Sequence, residues 1–192
     1  MTLTALFFAY QTLFYIISNY FGGWSPREVS DINAVGTYIP WIGVLFSGLW
    51  PAISEEGIFR LFAIPFLKKH TKSIFIAIFV SSLIWGLGHA WYPAQPFYIR
   101  VVKVGLGGVF IGLIFLRYGI LPALIWHFTI DAVYGAMILL RSDDAYMFTS
   151  GILCAGLFFL PLTYSLISYF KNGGFVSSAP LVNALDAELP PD

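Results

Sequence analysis

The sequence predicts an all-α fold, a polytopic transmembrane helical bundle of about six spans. Three observations predict it. Hydrophobic residues make up 58% of the 192 positions and charged residues only 10%, against roughly 25% charged in a soluble domain. Mean hydropathy is +0.80. The apolar runs approach the roughly 20 residues that a spanning helix needs, and short clusters of Gly, Pro and charge separate them. All six spans are expected to be helical, because lipid leaves a chain like this no other way to satisfy its backbone.

The spans follow in order. The first covers about residues 4–21; it lacks the basic start and cleavage site of a secretory signal and reads as a retained helix. The segment GGWSPREVSD breaks it. A second apolar stretch, about 34–67, is too long for one straight span; Pro40 and Pro51 bend it or mark its start, giving a short lead-in and one long tilted helix. KKHTK at 68–72 is a solvated loop. The third span is about 73–91 and YPAQPFYIR turns the chain. The fourth, about 101–116, carries Gly108 and Gly112 as a small-xxx-small packing face. RYGILP is a short turn, the fifth span runs from near Pro122 to near Leu140, RSDDA is a loop, and the sixth span is about 146–170. Residues 1–170 therefore form one membrane domain, and 171–192 a polar, poorly ordered tail.

Several function classes are excluded. Ten basic residues balance ten acidic ones, with no basic run, so nucleic acid is not a partner. Cys154 is the single cysteine and can form no internal disulfide. HExxH and GxSxG are both absent. Ser81 and Ser82 precede His89 on one helix, a weak arrangement for a Ser–His dyad, whose members are expected on different helices.

Loop charges such as Arg27, Glu28, Asp31, Lys68, Lys69 and Asp143 read as solvated anchors. Six residues do not: Glu55, Glu56, Arg60, His89, His127 and Asp131 fall inside spans, where an ionisable group costs on the order of 3 kcal/mol. At about 1.5 Å per residue from the KKHTK face, Glu55 lies roughly 20 Å in, His89 roughly 25 Å, and His127 and Asp131 roughly 15–20 Å. Three helices thus bring acid or imidazole groups to overlapping depth. Glu56 precedes Arg60 by four residues and His127 precedes Asp131 by four, so each pair shares a helix face. Glu55 lies about 100° round from Glu56 and has Phe59, not a base, four residues on. The spacing makes Glu56–Arg60 a structural ion pair and leaves Glu55 as the carboxylate for general-base work. Two histidines and a carboxylate are also a zinc donor set; if a metal is held, Glu55, His89 and His127 would hold it, although the preferred reading requires no cofactor.

At these residues the chain resembles the CPBP family, which includes the type II CAAX prenyl endopeptidases and the bacterial Abi proteins. Glu55-Glu56-Gly57-Ile58-Phe59-Arg60 resembles the family's EExxxR motif, Trp85-Gly86-Leu87-Gly88-His89 its FxxxH motif, and His127-Phe128-Thr129-Ile130-Asp131 its HxxxN motif. Their order also agrees, over about residues 41–140. The resemblance implies an intramembrane glutamate-type endopeptidase acting on a peptide or membrane protein within the lipid bilayer, including CAAX-type processing, and a bacterial plasma membrane location. By the same resemblance Glu55 and His89 activate a water, His127 and Asp131 stabilise the oxyanion, and Glu56 and Arg60 support the site. The chain departs from the family twice. Trp85 stands for Phe and reads as an aromatic swap. Asp131 stands for Asn, and a carboxylate donates to an oxyanion only when protonated, so orienting His127 or strengthening a metal site are alternative roles.

Two other functions compete: a non-catalytic binding or immunity protein on this scaffold, against which the complete motifs count, and a proton-coupled carrier, which should show two related halves where none is seen. The positive charge is nearly even, with Lys68, Lys69, Lys72, Arg117 and Lys171 on one face and Arg27, Arg100, Lys103 and Arg141 on the other. It weakly favours a cytoplasmic KKHTK loop.

Overall fold

The computed structural model describes residues 2–25 and 36–174. Arg27, Glu28 and Asp31 of the first loop, and residues 175–192 of the tail expected at 171–192, lie outside the described residues; Lys171, the first residue of that tail, ends the last helix. Among the described residues there is no strand, and the chain is a bundle of helices: α1 (Thr2–Tyr20), α2 (Pro40–Glu56), a π-helical segment (Gly57–Ala63), α3 (Ile64–Thr71), α4 (Ile74–Leu87), α5 (Tyr98–Tyr118), α6 (Ile120–Leu139) and α7 (Ala145–Lys171). Since α2, the π-segment and α3 run on as one rod, six helical rods result.

The boundaries have local causes. Pro40 opens α2 at its first turn, where a missing N–H costs nothing. Pro51 lies inside α2 and removes the bond to the Ser47 carbonyl. Ser73 caps α4 by accepting from the Ile76 N–H, and Asp144 caps α7 by accepting from the Met147 N–H at 2.9 Å. Gly119 alone joins α5 to α6; its φ of +86° is open to glycine and strained for other residues.

Among the described residues three helices are individually long and apolar enough to cross a membrane: Tyr98–Tyr118, Ile120–Leu139 and Ala145–Lys171. The π-segment divides the second rod, and α4 has only 14 residues. It stops at Leu87, four residues short of the expected end, because Gly86, Gly88 and Pro93 weaken helix beyond it. His89 therefore sits on a turn just past α4. At about 1.5 Å per residue α4 covers roughly 21 Å of a core roughly 30 Å thick. The irregular chain after it is tolerated at depth because it lines a cavity.

Packing is tight where glycine allows it. A Cβ on Gly48 of α2 would lie 2.8 Å from the Phe128 carbonyl of α6, and one on Gly86 of α4 would lie 2.6 Å from the Val101 carbonyl of α5. One apolar core joins α2, α6 and α7 through Val44, Ala132, Ala136, Leu139 and Cys154. Others join α3 to α4 through Ile64, Ala77 and Ile78, and α5 to α6 through Ile111, Ile114 and Ala123. Large apolar side chains such as Phe75, Phe79, Leu113 and Leu153 face outward, while Glu56 and Arg60 are among the largest fully buried side chains. That inverted distribution suits a lipid solvent.

Candidate active site

The close α2–α6 contact brings two carboxylates of α2 against one histidine of α6. The Nδ1 of His127 donates to Glu56 Oε1 at 2.7 Å. The other oxygen, Glu56 Oε2, lies 3.2 Å from Arg60 Nε, with Arg60 1% and Glu56 0% exposed. The Nε2 of His127 points the other way, 3.3 Å from Asp131 Oδ2 and 4.0 Å from Glu55 Oε2. With carboxylates facing both ring nitrogens, the imidazole can donate from both. Glu56, Arg60 and His127 form the dry floor; Glu55, 27% exposed, and Asp131, 34% exposed, rise toward open space.

The π-segment begins directly after Glu56. Such widened turns often occur at functional sites. Here the Ser81 hydroxyl of α4 donates to the Phe59 carbonyl at 2.6 Å, which ties the widened turn to α4. That bond also commits the hydroxyl weighed above as a dyad nucleophile. Arg60 Nη2 reaches the Gly108 carbonyl of α5 at 3.4 Å, and its guanidinium carbon sits 4.2 Å from the centre of the Trp85 ring.

Glu55 has a partner that helical spacing did not reveal. The Trp85 indole Nε1 donates to Glu55 Oε2 at 2.5 Å. The Trp-for-Phe departure is thus more than an aromatic swap, since phenylalanine has no N–H to give. The Trp85 carbonyl accepts from His89 Nδ1 at 2.8 Å, which leaves His89 Nε2 as the nitrogen able to take a proton. The His89 ring stacks on Tyr92 at 5.3 Å.

Glu55, Trp85, His89, His127 and Asp131 share one cavity of about 600 Å³. Its far wall comes from α1 and α5, with Tyr15, Arg100 and Lys103. Lys103 corrects an expectation: counted above as a charge at the membrane face, it is 9% exposed, with its ammonium 5.2 Å from the Tyr15 ring centre. Its place inside α5, five residues past the first, was the sequence signal of burial. Glu55, Asp131 and His127 come together, whereas His89 reaches the same cavity from the turn, held by Trp85 and Tyr92. Among the described residues no group of three His, Cys, Asp or Glu side chains is gathered closely enough to hold a metal ion as the side chains stand.

Residues 37–133 match the family described as Rce1-like, type II CAAX prenyl endopeptidase Rce1-like. The chain belongs to that family, a family of membrane endopeptidases. It is also 34% identical over 86 residues to the sporulation-killing factor biosynthesis protein SkfC of Bacillus subtilis (strain 168). That stretch is 45% of this chain and spans 17% of the length of the relative. No solved structure matches.

Proposed function

We propose that the chain is an intramembrane endopeptidase in which Glu55 and His89 activate a water for attack on a peptide carbonyl. The observation that carries this reading is the opening of the Glu55 carboxylate, 4.0 Å from His127 Nε2, into a cavity of about 600 Å³ that His89 also lines. Glu55 takes the water proton as general base, and His89 Nε2 is its imidazole partner. His127, held by Glu56 at Nδ1, turns Nε2–H toward the tetrahedral oxyanion. Asp131 Oδ2, 3.3 Å from the same Nε2, holds that N–H before attack and shares it with the oxyanion as charge develops, a role a carboxylate fills without protonation. The intermediate then collapses: the peptide C–N bond breaks, Glu55 returns the proton to the leaving amine nitrogen, and no acyl-enzyme forms. The substrate is a peptide or membrane protein reached within the bilayer, with CAAX-type processing as the family-based reading.

The test is cleavage of a peptide library by the full chain in detergent. Wild type should cut a subset of peptides. Glu55→Gln and His89→Ala should each lose on the order of 10²–10⁴-fold in kcat while folding normally. The mechanism uses no metal, so a chelator should leave the rate unchanged. Rate lost to chelator and restored by zinc would overturn it, as would a folded Glu55→Gln that still turns over.

A further inference from the structure

We propose that Trp85 is the positioning residue that fixes the Glu55 carboxylate for this reaction. The inference rests on the endopeptidase reading but concerns a residue that reading does not use. Trp85 meets four residues of the candidate site: Glu55, Arg60, His89 and His127. Its Nε1 donates to Glu55 Oε2 at 2.5 Å, its face lies under the Arg60 guanidinium at 4.2 Å, and its carbonyl accepts from His89 Nδ1 at 2.8 Å. Its ring meets the His89 and His127 rings edge-on at 5.5 and 5.7 Å.

The ring itself has little room to move. A Cβ on Gly108 would lie 2.8 Å from Trp85 Cε3, so the α5 backbone closes over the indole where glycine lets it. The Arg60 guanidinium covers the ring face at 4.2 Å. A two-torsion side chain held this way is a rigid donor. Glu55 by contrast is a three-torsion side chain, 27% exposed at a cavity, and nothing on its own helix holds its rotamer. The indole bond selects one. It fastens Oε2 and leaves Oε1 to accept a proton from water. Indole is donor-only and cannot compete for that proton. Where the resembled motif carries phenylalanine, the rotamer would have to be held some other way.

The test is a double-mutant cycle on a peptide that wild type cleaves. Trp85→Phe keeps a ring under Arg60 and deletes the N–H. It should lower kcat about 10–100-fold, the range expected for one hydrogen bond to a charged group, with KM and thermal melt close to wild type. Glu55→Asp withdraws the carboxylate from the indole and lowers kcat as well. The double variant should then be no more than about twofold below Glu55→Asp, since the shared contact is already broken. Wild-type kcat in folded Trp85→Phe, or effects that multiply in the double, would overturn the proposal. If Trp85→Phe fails to fold, benzothienylalanine at position 85 replaces it, with the same shape and no N–H, and the same outcomes decide. A readout free of turnover separates this inference from the endopeptidase reading. The Trp85 indole N–H resonance should move upfield in Glu55→Ala, and an unmoved resonance overturns the contact. An active Glu55→Gln sinks the endopeptidase reading whatever the resonance does.

Discussion

The two adjacent glutamates differ in what loses a partner when each is changed. Glu56 serves two groups at once, His127 Nδ1 at 2.7 Å and Arg60 Nε at 3.2 Å, all nearly excluded from solvent. Glu56→Gln keeps the shape but leaves a buried guanidinium without its counter-charge, at a cost of about 3–5 kcal/mol. It should appear as a lowered melt and poor yield, with activity lost in step with the folded fraction. Glu55→Gln removes a partly exposed carboxylate and should melt near wild type. The comparison is specific activity per folded molecule beside each melt; a normally folding but dead Glu56→Gln would reverse the two roles. Spacing alone made the Glu56–Arg60 and His127–Asp131 pairs legible, because residues four apart on a helix meet. Glu55–Trp85 and Lys103–Tyr15 were not legible, since each joins helices far apart in sequence and depends on how those helices pack.

At the scale of the element, α4 against α5 sets where Trp85 stands. The Gly108–Gly112 face reads from sequence as ordinary helix packing. It is that, and it is also the surface on which Trp85 rests, with a Cβ on Gly108 lying 2.9 Å from Ser82 Cβ as well as against the indole. Gly108→Ala should cost about 1–3 kcal/mol by overpacking and lower turnover by displacing Trp85. Gly156→Ala in α7, where an added Cβ meets nothing within 4 Å, should leave turnover unchanged. Equal effects in the two variants, measured by melt and kcat together, would remove Gly108 from the support of the site. The π-segment at 57–63 left no mark in the sequence, because a widened turn shifts the helical phase without changing composition. The early end of α4 was partly legible in Gly86, Gly88 and Pro93, but an apolar run through Trp91 argued the other way.

For the whole molecule, hydropathy and charge scarcity made the helical bundle legible, because a lipid solvent constrains the outside of every rod. What they could not order was the interior, where Glu56 and Arg60 are more buried than most leucines and phenylalanines. Topology follows from counting crossings. Residues 68–71, expected from sequence as a loop, form the last turn of α3, and the chain turns at Lys72; between that turn and the loop at 141–144 it passes through α4, α5 and α6, three rods joined by a turn region and by Gly119. An odd number of crossings puts the two loops on opposite faces of the bilayer. Cys154 is buried in the α2–α6–α7 core, so Cys154→Ala gives a background without native thiol. Single cysteines at Lys69 and at Asp143, both exposed, should then react with a membrane-impermeant maleimide from opposite sides of sealed vesicles. Labelling of both from one side would mean an even number of crossings between them, as when α4, with only 14 residues, does not cross. That result would move His89 and His127 to different depths and separate the two imidazoles that the proposed water activation and oxyanion binding require within one cavity.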